Sequence, residues 1–182
     1  LTPRKMVAEE ANTVEMAGGE QSGELVFCAY GRGRYLGCSR NFTEAVGMAY
    51  DAMGMVTDEN GRVVWNRVNR GNIRTLGDVE AQAAGFASIL REFDGTRRMD
   101  DGSLILDCRG LSIPQILYFI DRGNLVAGYT EGGAYLLIYG FDPYNISVYD
   151  PASGSTFKMG LNDSEAYFKS FGNDFICVFQ RN

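Results

Sequence analysis

Polar and apolar positions along the chain predict two unequal blocks of structure. Residues 1–23 are polar, carry several carboxylates and Gly18-Gly19, and lack a strong period. They predict an arm or linker, with a weak helix from Val7 to Val14. From residue 24 the pattern sharpens. Leu25 to Tyr30 reads as a strand, Gly31-Arg32-Gly33 as a turn, and Tyr35 to Cys38 as the returning strand. Asn41 or Thr43 can cap a helix with Ala45, Val46, Ala49 and Met53 on one face, and Gly54 is a natural stop. Met55 to Thr57 and Arg62 to Trp65 are strands joined by the turn Asp58-Glu59-Asn60-Gly61. The result is a small ββαββ module over 24–72, followed by a short connector over 71–77 with two glycines.

Residues 73–182 form the second block. Asp78 can cap an alanine-rich helix to about Phe93, ended by Gly95, and 96–102 read as a charged loop. A strand follows at 104–107. Ser112 opens a helix with Pro114 in its first turn and Ile116, Leu117 and Ile120 on its face. Strands at 125–129, 134–140 and 146–149 come next, the last two joined by the hairpin loop 141–145. A short helix near 164–169 and a strand at 174–179 close the chain. A helix followed by an antiparallel sheet is an α+β pattern.

Composition narrows the function classes. Hydrophobic residues are 45% and charged residues 22%, the balance of a soluble globular chain. The longest apolar run, around Leu136, is about nine residues, short of the ~18–20 of a membrane helix, so no membrane insertion is expected from this segment. A net charge of −6 lacks the electrostatic footprint of a nucleic-acid binder. The chain has no histidine. That excludes imidazole bases, Ser-His and Cys-His nucleophiles, and His metal sites. Neither cofactor nor metal is expected. The opening Leu1-Thr2-Pro3, without methionine or an export signal, predicts a piece of a longer protein.

The four cysteines, Cys28, Cys38, Cys108 and Cys177, form no C-x-x-C pair. Cys28 and Cys38 lie symmetrically about Gly33. A three-residue loop at Arg32-Gly33-Arg34 would set them opposite each other. They are then either a cross-strand disulfide, which requires an oxidising compartment, or two ordinary half-buried residues.

Other motifs carry less. Gly31-Arg32-Gly33-Arg34-Tyr35-Leu36-Gly37 sits between strands and lacks dinucleotide-loop spacing. Three sequons, at Asn41, Asn145 and Asn162, are expected by chance at this length. Asp100 and Asp101 are expected in solvent. Tyr129, Tyr135, Tyr139 and Tyr144 are either half-buried strand residues or the lining of a groove.

The informative stretch is Gly132-Gly133-Ala134-Tyr135-Leu136-Leu137-Ile138-Tyr139-Gly140-Phe141-Asp142, followed by Tyr149-Asp150-Pro151-Ala152-Ser153-Gly154. Over roughly residues 75–182 the chain resembles the papain-like peptidases of the bacteriocin-leader (double-glycine) family. There a catalytic His begins an apolar strand, and a second strand ends in Asp-Pro-x-x-Gly, its Asp orienting the His. Ala81 to Leu90 resembles the family's nucleophile helix. The resemblance implies a papain-like fold whose triad positions fall on Gln82, Ala134 and Asp150. Only the aspartate is retained, and a carboxylate with no imidazole to orient has no catalytic role by that mechanism. The stretch between helix and strand is also shorter than the family's. A second register puts Cys38 at the nucleophile position, with 42–53 as its helix. Residues 24–70 resemble small modules that precede such degenerate domains in bacterial surface proteins.

The expectation is a non-catalytic peptide-binding or scaffold module of a larger exported bacterial protein, extracellular or at the cell surface. Its partner would be an extended peptide or protein segment, met by Gly132, Gly133, Tyr135 and Asp142. The alternatives are a structural spacer and a hydrolase using Asp107, Asp142 or Asp150, which would need two carboxyls converging at ~5–9 Å.

Overall fold

The first block builds its sheet around one tight hairpin. β1 (Phe27–Gly31) and β2 (Arg34–Ser39) are joined through Arg32 and Gly33, both left-handed at φ 53° and 75°. This is a two-residue turn, where a three-residue loop was expected. Then follow α1 (Phe42–Asp51), β3 (Met55–Thr57) and β4 (Val63–Asn66), in an antiparallel sheet ordered β2-β1-β3-β4. The order is ββαββ. The coordinates come from a computed structural model and describe residues 24–69 and 71–180. The arm expected over 1–23, including its weak helix, lies outside the described residues. The chain divides into two compact units between Arg67 and Val68.

In the first unit Asn41 caps α1, its Oδ1 accepting from the Glu44 N–H at 3.0 Å. Phe42, Ala45, Val46 and Ala49 are the buried face of the helix, and Phe42 meets Phe27 edge-on at 5.1 Å. Two expectations need correction. Met53 is not on the helix face: it lies beyond the helix end, 68% exposed. It is also Met53, at φ 55°, that takes the left-handed position assigned to Gly54. Gly54 is needed for a different reason. A Cβ there would stand 1.7 Å from the Tyr30 carbonyl oxygen, so the chain passes too close to β1 for any side chain.

The second unit runs β5 (Arg74–Thr75), α2 (Val79–Glu92), β6 (Arg97–Arg98), β7 (Leu104–Asp107), α3 (Ile113–Asp121), β8 (Val126–Tyr129), β9 (Tyr135–Phe141), β10 (Asn145–Asp150), β11 (Ser155–Gly160), α4 (Leu161–Lys169) and β12 (Phe175–Phe179). Its antiparallel sheet is ordered β11-β10-β9-β8-β12-β7-β6, with β5 paired to the far end of β9. The architecture is α+β.

Alternation assigns the two faces of this sheet. Tyr149, Leu137, Ala127 and Ile176 stand in one row across β10, β9, β8 and β12. They share a cluster with Ala83, Phe86 and Leu90 of α2. The opposite face meets α3 and α4. Tyr118 of α3 stacks on Phe179, and Phe168 of α4 lies 5.3 Å from the Phe175 ring. α3 buries Ile113, Ile116, Leu117, Tyr118, Phe119 and Ile120 because it contacts both the sheet and α4. Gln115 Oε1 accepts from the Ser112 N–H at 2.8 Å, as in a capping box.

Four local readings differ. Asp78 precedes α2 in a left-handed conformation (φ 48°), and its side chain makes no cap bond. The charged loop 96–102 contains β6, which pairs with Leu104 and Ile105. The connector contains β5. Residues 155–160, given no element from the sequence, form β11, an exposed edge strand with no apolar alternation in its first residues.

Candidate functional site

The residues singled out in the sequence distribute over both ends of β9. At its start, Glu131–Gly133 form one 3₁₀ turn in which Gly132 (φ 68°) and Gly133 (φ 83°) are left-handed. The turn is closed by the Thr130 N–H donating to the Ala134 carbonyl at 2.8 Å. Gly132, Gly133 and Ala134 are exposed. A Cβ on either glycine would meet no atom within 4 Å, so the loop borders open space. Tyr135 pairs with Tyr129 across β9 and β8, and their rings stand 5.8 Å apart. Burial, then Asp174 and Tyr135, pushes the Tyr129 phenol above its ordinary pKa.

Asp150 ends β10 at this same end of the sheet. The last paired residues are Tyr149 and Leu137. One step outward brings Asp150 level with Leu136, so Ala134 is its diagonal neighbour rather than its direct partner. The Asp150 carboxylate turns into its own loop, accepting from the Ala152 N–H at 3.0 Å, while its carbonyl accepts from Gly154 N–H at 2.8 Å. A carboxylate without an imidazole has thus found backbone donors.

Asp142 belongs to the other end, beyond the last residue of β9. Leu76 N–H donates to the Tyr139 carbonyl at 2.9 Å, and β5 pairs with Gly140 and Phe141. Leu76 is therefore anchored level with Tyr139, and the chain runs from there antiparallel to β9 into α2, whose Ala83 shares a cluster with Leu137 and Tyr149. Gln82 is exposed, and its Nε2 donates back to the Gly77 carbonyl at 2.5 Å. Asp142 holds the β9–β10 hairpin: its Oδ1 accepts from the Tyr144 and Asn145 N–H groups, both at 2.8 Å, and Oδ2 lies 3.5 Å from Lys158 Nζ. Those backbone bonds chiefly hold its carboxyl below the ordinary aspartate pKa. Asp142 is thus separated from Gly132, Gly133 and Tyr135, with which it was grouped.

The aspartates considered for acid–base chemistry do not converge. Asp142 and Asp150 lie beyond and at opposite ends of β10, roughly 17–20 Å apart. Asp107 stands level with Tyr149 but four strand spacings away, about 19 Å. Catalytic carboxylate pairs need ~5–9 Å. Each is instead a turn former, since Asp107 accepts from Arg109 N–H at 3.1 Å as Asp142 and Asp150 do from residues two further on. The recurring signal, aspartate at the end of a strand followed by Pro or Gly within a few residues, marks turns, and it is readable in the sequence.

The cysteines are resolved by register. Cys28 and Cys38 are paired positions of β1 and β2, their Cα atoms 4.0 Å apart, and they form a disulfide. Cys38 therefore has no thiol to act as a nucleophile, and it lies within β2 rather than at a helix start. The second register loses its basis. Cys108 and Cys177 are free and buried.

Among the described residues no three or more Cys, Asp or Glu side chains gather as a metal site, and no helix is long and apolar enough to cross a membrane. No family model matches the chain, and no curated protein or solved structure matches it either.

Proposed function

We propose that the second unit is a non-catalytic peptide-binding or scaffold module with a papain-like ancestry, carried on a larger exported bacterial protein. The reading is supported by the order of the Gly-Gly-Ala-Tyr strand and the Asp-Pro turn, and by the loss of every histidine. The observation that carries it is the exposed Gly132-Gly133 turn, open on its outer side and flanked by the Tyr129–Tyr135 pair. An extended segment with small residues fits against backbone that offers no Cβ. The Cys28–Cys38 disulfide accords with an oxidising compartment.

A structural spacer is the second reading. It is favoured by the sheet face under α2, where Tyr129, Tyr135 and Tyr139 pack against the core instead of lining a groove. One titration separates the two. A peptide ending in Gly-Gly is added to ¹⁵N-labelled protein, and amide shifts are followed alongside the intact mass of the peptide. Saturable shifts confined to residues 130–135, with the peptide uncut, support binding. No shift supports the spacer, and cleavage of the peptide overturns both.

A further inference from the structure

Cys108 and Cys177 are fully buried, yet neither belongs to the site described above. Cys177 pairs with Leu106 across β12 and β7. The Cys108 N–H continues that ladder, donating to the Phe175 carbonyl at 3.0 Å. Cys108 therefore lies two residues beyond Leu106 on the same face as Cys177, and the two are diagonal neighbours. Their thiols are within hydrogen-bonding reach of each other. Cys108 follows the last residue of β7 and its carbonyl accepts from the Leu111 N–H at 3.1 Å, so bringing two diagonal cysteines to bonding geometry requires β7 and β12 to shift.

We infer that Cys108 and Cys177 are a dithiol site that closes to a second, internal disulfide under the same oxidising conditions that sustain Cys28–Cys38. The chemistry balances with a low-molecular-weight disulfide as oxidant. One cysteine thiolate attacks the reagent, forming a mixed disulfide and releasing one reagent thiol. The second thiolate attacks the protein sulfur of that bond, forming Cys108–Cys177 and releasing the other. Two protons and two electrons leave the protein. Burial raises the Cys177 thiol well above its ordinary pKa, as does its contact with Cys108. The first attack therefore waits on parting of β7 and β12, and oxidation is slow in the native state and fast when mild denaturant opens that edge.

The test uses the whole chain and oxidised glutathione. Protein is incubated with and without sub-denaturing urea, quenched in acid, unfolded, alkylated and digested with trypsin. The expected result is loss of both alkylatable thiols and a linkage between peptides 99–109 and 170–181, with Cys28 still joined to Cys38. Urea accelerates the reaction. A Cys108→Ser variant leaves Cys177 as a thiol or as a lasting glutathione adduct. The inference is overturned if the wild-type protein ends as stable glutathione adducts at Cys108 or Cys177. It is equally overturned if both thiols remain alkylatable after prolonged oxidation in urea, or if either is found joined to Cys28 or Cys38.

Discussion

Cys38 stands opposite Cys28 because β2 carries one residue more than β1 between the turn and the disulfide. Next to the turn the pairs are Gly31 with Arg34 and Tyr30 with Tyr35; beyond it they are Ala29 with Gly37 and Cys28 with Cys38. Leu36 is the extra residue, a β-bulge that shifts the register by one. Paired regularly instead of bulged, Leu36 would face Ala29 and Gly37 would face Cys28.

Deleting Leu36 therefore removes the bulge and leaves Cys28 facing Cys38 on a regular ladder, so the disulfide is retained. Thiol titration of the unfolded, unreduced variant should find two free cysteines, as in the wild-type chain. The Cys28→Ala/Cys38→Ala variant should be less stable by about 2–3 kcal/mol, the loop-closure value for a ring this small. Loss of the Cys28–Cys38 linkage in the deletion variant would disprove the register argument.

Gly128 is covered by α4. A Cβ there would stand 2.6 Å from the Phe168 ring and 3.0 Å from Phe175. Gly128→Ala should cost roughly 1–3 kcal/mol by overpacking, and Phe168→Ala roughly 3–5 kcal/mol through the cavity it leaves. Combining Gly128→Ala with Phe168→Leu should cost less than the sum of the two single changes, because the smaller side chain makes room for the new methyl. Strict additivity in urea unfolding would count against this contact.

Gly54→Ala has no such escape, because the obstacle is the Tyr30 carbonyl, 1.7 Å from the added Cβ. Backbone of β1 or the end of α1 must move. The loss should exceed about 4 kcal/mol, the range of severe single changes. Far-ultraviolet and near-ultraviolet melts, with the Trp65 signal reporting on the first unit, measure it. A variant within 1 kcal/mol of the wild type, roughly the effect of an average substitution, would show that the close approach is wrong.

Asp142 gives a pH signature. Its folded pKa is lower than its unfolded value of about 3.9. Its contribution is therefore complete above the unfolded pKa and fades as pH falls through the folded one. Asp142→Asn should lower the melting temperature at pH 7 and make little difference near pH 2. An equal deficit at both values would assign the effect to hairpin geometry rather than charge.

Local signals along the chain were sufficient for most elements. Asn41, the Ser112–Gln115 pair, Pro114 and the apolar faces of α1 and α3 act over three or four residues, within reach of their own partners. The α+β order followed from these, and the missing histidine by itself removed imidazole chemistry. β5, β6 and β11 were not legible. Two of them are only two residues long, and β11 is an edge with no buried face, so their strand character comes from the neighbour they pair with. The candidate site divided for the same reason. Gly132, Gly133 and the Asp150 turn could be read as a motif, but Asp142 is carried away from them by the full length of β9, which is held extended by strands distant in the chain. The disulfide depended on one bulge residue. Spacing along the chain set which cysteines were close, and only the register of the folded hairpin, shifted by Leu36, decided that they meet.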